Sequence, residues 1–213
     1  MTKVKICGIQ SWGEAKTAVD CGADALGFIF APSPRRINPE AAREIIFKLP
    51  PFVTTVGVFV NEPPSSLLKI VDFCRLDAVQ LHGDESPEYC CRLGLKVIKS
   101  FRVRESRVPP GIDAFPVQAV LLDTYVPGRP GGTGLTFDWE VARRVVAAGR
   151  TVILAGGLTP ENVARAVAAV RPYAVDVASG VESGGRKDPD KVRRFIEAAK
   201  RAGEEIKELE GGN

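Results

Sequence analysis

A (β/α)₈ barrel is the fold this sequence predicts, and three observations carry the prediction. Short apolar runs alternate with amphipathic stretches along the whole chain, and eight such runs occur. Several are apolar on both faces, as in Leu26-Gly27-Phe28-Ile29-Phe30 and Val152-Ile153-Leu154; that suits parallel strands covered by helices, not a half-wet antiparallel sheet. The length of 213 residues fits one barrel, since such domains run to about 200–250 residues. The competing arrangement is a doubly wound open sheet. It usually has about five or six strands and often carries G-x-G-x-x-G after the first, a motif missing here.

Taken in order, Lys3–Ile9 reads as the first strand and Gly13–Cys21 as the first helix. Ala25–Phe30 is the second strand, followed by a helix over Pro39–Lys48 with proline at its start. Thr54–Val60, rich in Val and Thr, precedes a helix over Ser65–Phe73. Ala78–His82 is the fourth strand, with Ser86-Pro87-Glu88 opening the next helix, and Lys96–Val103 is the fifth. Val117–Asp123 is the sixth, followed by a helix over Phe137–Ala148. Thr151–Ala155 is the seventh, with Thr159-Pro160-Glu161 opening a helix; Ala174–Ala178 is the eighth, and a helix over Pro189–Ala202 closes the pattern. In residues 104–116, Pro109, Pro110, Gly111 and Pro116 leave room for a loop or a single turn in place of a fifth helix. No composition shift marks a boundary, so residues 1–213 read as one catalytic unit.

Composition narrows the function classes. Hydrophobic residues make up 45 % and charged residues 26 %, as in ordinary globular proteins and unlike disordered chains. The net charge is +3, no Lys/Arg block is dense, and the tail after Arg201 alternates signs; a nucleic-acid partner is not expected. Apolar runs such as Val117–Leu122 are too short to span a bilayer, and the amino terminus lacks a secretory hydrophobic region. The five cysteines are odd in number without a C-x-x-C pair, and there is one histidine. Neither a disulfide framework nor a zinc site follows, and a reducing cytoplasm is the expected compartment.

Active sites of such barrels lie where the strands end. The seventh strand ends in Ala155-Gly156-Gly157-Leu158 and the eighth in Ala178-Ser179-Gly180-Val181-Glu182. Glycines there let backbone N–H groups approach a dianion, so Gly156, Gly157, Ser179 and Gly180 are candidate phosphate ligands; tight turn geometry is the competing explanation for each turn alone. Cys7, ending the first strand, is either a small buried hydrophobe or a thiolate base. Asp123, ending the sixth, is either a partly desolvated acid or the cap of the next loop. Arg36 suits bidentate carboxylate binding, but its neighbour Arg35 makes the choice ambiguous. Gln80 and His82 end the fourth strand, and His82 is either a hydrogen-bonded structural residue or a base.

Together these pieces resemble the phosphoribosylanthranilate isomerase family. The likeness spans nearly the whole chain and rests on Lys5-Ile6-Cys7-Gly8-Ile9, Gly27-Phe28-Ile29-Phe30, Pro32-Ser33-Pro34-Arg35-Arg36, Val56-Gly57-Val58-Phe59-Val60 and Val79-Gln80-Leu81-His82-Gly83-Asp84-Glu85. It continues through Leu122-Asp123-Thr124, Gly131-Gly132-Thr133-Gly134, Leu154-Ala155-Gly156-Gly157-Leu158 and Asp176-Val177-Ala178-Ser179-Gly180-Val181-Glu182. The resemblance implies an Amadori rearrangement of a small phosphorylated substrate in tryptophan biosynthesis. It implies Cys7 as general base, Asp123 as general acid, Arg36 as anchor for the anthranilate carboxylate, and Gly132, Thr133 and Gly134 in a mobile loop. It implies no metal or organic cofactor, and either a monomer or a homodimer. Lys5 lies two residues before Cys7 on the same side of the strand, placed to stabilise a thiolate.

Two other readings compete. A histidine-pathway barrel isomerase resembles a design with an Asp base where Cys7 stands, and it would need a second phosphate cradle where Asn61-Glu62-Pro63-Pro64 offers no glycine. A barrel that binds a phosphorylated metabolite without turning it over is the other, and the paired candidate acid and base argue against it.

Overall fold

The computed structural model describes residues 1–103, 107–123 and 136–211, with side chains for 1–103, 107–123 and 139–208. The strands are β1 (Lys3–Cys7), β2 (Ala25–Ile29), β3 (Thr54–Phe59), β4 (Ala78–Leu81), β5 (Val97–Arg102), β6 (Ala119–Asp123), β7 (Val152–Ala155) and β8 (Ala174–Val177). All eight pair in parallel and in chain order, and β8 closes on β1 through Lys3↔Ala174, Lys5↔Asp176 and Ile6↔Val177. The expected (β/α)₈ barrel is therefore the observed one.

The helices are α1 (Trp12–Asp20), α2 (Pro39–Ile46), α3 (Pro64–Cys74), α4 (Pro87–Arg92), α5 (Thr136–Ala147), α6 (Val163–Val170) and α7 (Pro189–Gly211). Several starts are set by local chemistry. Ser11 accepts from the Glu14 N–H, Asn38 from Ala41 and Ser86 from Tyr89, so each cap satisfies a donor the helix itself leaves unpaired. Between β5 and β6 there is only a 3₁₀ turn at Ile112–Ala114, because the flanking prolines lack the donors a helix needs.

Two boundaries differ from expectation by more than two residues. α6 begins at Val163, not at Thr159, because Asn162 takes the Thr159 N–H at 2.8 Å and folds Thr159–Asn162 into a turn first. α7 runs on to Gly211, past the expected end at Ala202, through a Glu- and Lys-rich stretch of strong helix formers; Ile206 there packs on the core.

The large apolar cluster lies between sheet and helices, with Phe28, Phe59, Phe195 and Leu154 among its fully buried members. A smaller cluster fills the barrel interior: Ala119, Leu121, Ile153, Ala155 and Ala174, with Ile98 against it. Side chains alternate along a strand, so Asp123 shares the inward face of Ala119 and Leu121. By the same alternation Gln80, Ser100 and Asp176 face inward on β4, β5 and β8, and all three are buried, as is Lys5. Polar groups in a barrel core cost free energy unless partnered, so this layer marks the end of the barrel where function resides.

Candidate active site

Cys7 ends β1 with 5 % exposure, and its sulfur faces the barrel. Gly27 on β2 makes the space: a Cβ there would lie 2.8 Å from the Cys7 Sγ and 3.0 Å from the Lys5 Nζ. Lys5 donates to Asp176 at 2.7 Å, a pair with side chains 4 % and 10 % exposed, and its ammonium stands beside the Cys7 side chain. Burial pushes the Cys7 thiol above its ordinary value; Lys5 opposes that shift and Asp176 adds to it. Burial alone would lower the Lys5 ammonium, but the Asp176 carboxylate and Cys7 outweigh it, and Lys5 stays a cation. Lys5 is thus the cation beside the sulfur, shared with a carboxylate from β8.

Across the barrel mouth, Asp123 ends β6 with its side chain about one-quarter exposed, and its Oδ2 lies 3.9 Å from His82 Nε2. His82 in turn meets Gln80 Nε2 at 3.3 Å through its Nδ1. Cys7 and Asp123 therefore stand on the inner face at the carboxyl ends of β1 and β6, with the Lys5–Asp176 pair beside the sulfur and His82 beside the carboxyl. A cleft of about 630 Å³ opens on the β3–β5 side; His82, Ser100, Arg102, Phe101, Phe115 and Val60 are among its walls.

The glycine turns meet each other directly. Gly156 and Gly157 hold φ of 87° and 62°, a region that strains residues with a Cβ. Asn162, buried, donates to the Gly157 carbonyl at 2.9 Å and pins this turn. Ser179–Val181 forms one 3₁₀ turn. A Cβ on Gly180 would lie 1.8 Å from the Leu158 carbonyl oxygen, so the two turns abut backbone to backbone. We expect Gly180→Ala to force them apart. Overpacking of this kind costs about 1–3 kcal/mol; if these turns seat the substrate's anion, as the sequence leads us to expect, that cost raises KM about 10- to 100-fold. Steady-state kinetics at saturating and limiting substrate checks this; an unchanged KM would remove the seat from these turns.

The structure separates the two neighbouring arginines. Arg35 is bound twice to Glu182, Nε to Oε1 and a terminal nitrogen to Oε2, both at 2.7 Å. Buried Lys187 joins them at 2.6 Å from Glu182 Oε1 and also holds the Ala178 carbonyl at 3.0 Å. Burial would raise the Glu182 carboxyl, but Arg35 and Lys187 hold it below the ordinary carboxylate value. Arg35 lies over Gly8, where a Cβ would stand 2.7 Å from the Arg35 Cδ, so this triad ties the loop after β2 to the turn after β8. Arg36, by contrast, is exposed at the rim. There its backbone N–H is fixed by the Ser33 carbonyl at 3.0 Å.

Thus the described residues bring Cys7, Lys5, Gln80, His82, Asp123 and the glycine turns to one end of the barrel, with Arg36 on its rim. Thr124, Gly132, Thr133 and Gly134 lie outside the described residues. Sequence reading missed Asp176, Gly27, Asn162 and the Glu182–Lys187 pair. Asp176 had a signal, as the one charge within the otherwise apolar Ala174-Val175-Asp176-Val177, while the others are recognisable only by what they touch.

A sequence model of the N-(5′-phosphoribosyl)anthranilate isomerase family matches residues 4–198. A relative of that name from Moorella thermoacetica is 59 % identical over 205 residues, covering 96 % of this chain and 92 % of its own length. The phosphoribosylanthranilate isomerase of Thermotoga maritima superposes with a TM-score of 0.87 at 46 % identity, covering 94 % of this chain and 100 % of that one. Mutually generated monomers of the dimeric enzyme from the same organism superpose with a TM-score of 0.81 at 42 % identity, and cover 94 % and 100 %. A phosphoribosylanthranilate isomerase in complex with reduced 1-(o-carboxyphenylamino)-1-deoxyribulose 5-phosphate superposes with a TM-score of 0.80 at 42 % identity, with the same coverage. Motifs, fold and relatives agree: the chain belongs to the N-(5′-phosphoribosyl)anthranilate isomerase family and is an isomerase of tryptophan biosynthesis.

Proposed function

We propose that one catalytic unit, residues 1–213, converts N-(5′-phosphoribosyl)anthranilate to 1-(2-carboxyphenylamino)-1-deoxyribulose 5-phosphate, with Asp123 as acid and Cys7 as base. Asp123 gives a proton to the furanose ring oxygen. The C1′–O bond breaks with its electrons on that oxygen, and the amine lone pair forms the C1′=N iminium. The Cys7 thiolate then takes the proton from C2′, and the C–H electrons become the C1′=C2′ bond of an enolamine. Proton transfer from the enol oxygen to C1′ gives the ketone. The substrate's own iminium is the electron sink, so the scheme calls for no metal or organic cofactor. Arg36 holds the anthranilate carboxylate, and Gly156, Gly157, Ser179 and Gly180 hold the phosphate.

The observation that carries this reading is the pairing of Cys7 and Asp123 on the inner face at one end of the barrel, above the buried Lys5–Asp176 pair. The test is turnover of phosphoribosylanthranilate by the purified chain, followed as loss of its fluorescence. Ligand binding without turnover would replace the catalytic reading with a binding one.

The same reading places the chain in the cytoplasm, in keeping with five free cysteines. Among the described residues no helix is long and apolar enough to cross a membrane. Its macromolecular partner is a second copy of itself. Phe52 is 96 % exposed beside a pocket of about 230 Å³ at the amino-terminal mouth, walled by Val56, Ala78, Ile98, Ile153 and Tyr173. A protruding ring next to an apolar hollow is self-complementary under two-fold symmetry, and a relative is described as dimeric. Light scattering should give twice the 22.9 kDa chain mass for the natural chain and the single mass for Phe52→Glu. A natural chain that is monomeric at micromolar concentration overturns the dimer.

A further inference from the structure

Gln80 and His82 lie two residues apart at the end of β4, so both side chains face the barrel interior. Gln80 is 2 % exposed, and its amide Nε2 stands 3.3 Å from His82 Nδ1. The other ring nitrogen, Nε2, stands 3.9 Å from Asp123 Oδ2. An amide NH₂ only donates, so the ring nitrogen it meets is the bare one and the ring proton sits on the other. We propose that Gln80 holds His82 as the Nε2–H tautomer, and that this N–H, directed at Asp123, turns the acid's carboxyl toward the substrate. Gln80 and His82 are positioning residues for the proton donor. The inference rests on Asp123 being the acid.

Three features support it. The opposite amide orientation would put the proton on Nδ1 and leave a bare Nε2 facing Asp123: an acceptor that draws the acid's proton away from the substrate and opposes the carboxylate left behind. The imidazole is neutral when it does this work. Burial pulls its pKa below the ordinary imidazole value; Asp123 and Asp176 oppose that shift, while Arg102 and Lys5 reinforce it. These four come from β6, β8, β5 and β1. Finally, Gln80 Oε1 is buried without a partner among the described residues, so the contact with Nδ1 is the hydrogen bond that the Gln80 amide makes there. A separation of 3.9 Å is too long for a direct hydrogen bond, so the Asp123 carboxyl must turn to meet this N–H.

The chain contains a single histidine, so the imidazole resonances of [¹⁵N]histidine-labelled protein all belong to His82. At neutral pH we expect a protonated, pyrrole-type Nε2 and a pyridine-type Nδ1. An Nδ1–H tautomer in the natural chain overturns the proposal, and this spectrum is independent of turnover. Gln80→Leu should mix the tautomers. His82→Gln keeps an amide N–H near the position of Nε2, and His82→Leu does not. In His82→Leu kcat should fall by about 10- to 100-fold with KM little changed, whereas His82→Gln should stay within about threefold of the natural chain. Equal losses in the two variants overturn the positioning role, while a natural chain that fails to turn over overturns the catalytic reading instead.

Discussion

Cys7→Ser is expected to lower kcat by about 10²–10⁴, the range for loss of a general base, with little change in KM. The substitution exchanges one atom and keeps the side chain's size, so barrel packing is not at issue. What changes is acidity: a hydroxyl in this buried place stays protonated, whereas the thiol is the one ordinary nucleophilic side chain with an ionisation near reach of neutrality. The structure adds a refinement. Burial pushes the Cys7 thiol up, and Lys5 is the neighbour that pulls it back. The thiolate is therefore present above the raised pKa and lost as pH falls through it, so alkylation by iodoacetamide should accelerate with rising pH. Lys5→Met removes the opposing charge and should move that alkylation midpoint to still higher pH. It also strands Asp176, and unpairing a buried carboxylate costs about 3–5 kcal/mol, so folding should be checked alongside. A near-normal rate in Cys7→Ser would remove the base assignment, and an unmoved alkylation midpoint in Lys5→Met would remove the lysine's role.

Asp123→Asn is the second large expected effect, again about 10²–10⁴ in kcat. The amide matches the carboxyl in shape and still hydrogen-bonds, but it has no acidic proton to give the departing ring oxygen. Because the missing interaction is made in the transition state, kcat and kcat/KM should fall together. The measurement is the fluorescence-decay assay across substrate concentration. A variant that loses only affinity would recast Asp123 as a binding residue.

Much of the fold was legible locally. Alternating apolar runs announced eight strands, prolines announced the missing fifth helix, and Pro39 and Ser86-Pro87-Glu88 announced their helices. These signals work because side-chain periodicity and capping act within a few residues. Boundaries failed where one side chain intervened: Asn162 redirects the Thr159 N–H and delays α6. The end of α7 was underestimated because the apolar pattern thins while helix propensity continues.

The sequence alone determined which residue types end each strand, and so where a sulfur, a carboxyl and two glycine turns would gather. The tertiary structure alone decided their partners. Lys5 and Asp176 are separated by 171 positions and become a buried pair only because β8 closes on β1. Arg35 and Arg36 are indistinguishable in the sequence, yet one is consumed by Glu182 and the other is left at the rim. The physical reason is range: strand and helix periodicities are written in neighbouring residues, whereas a charge's burial and partner depend on which distant strands the closed barrel sets side by side.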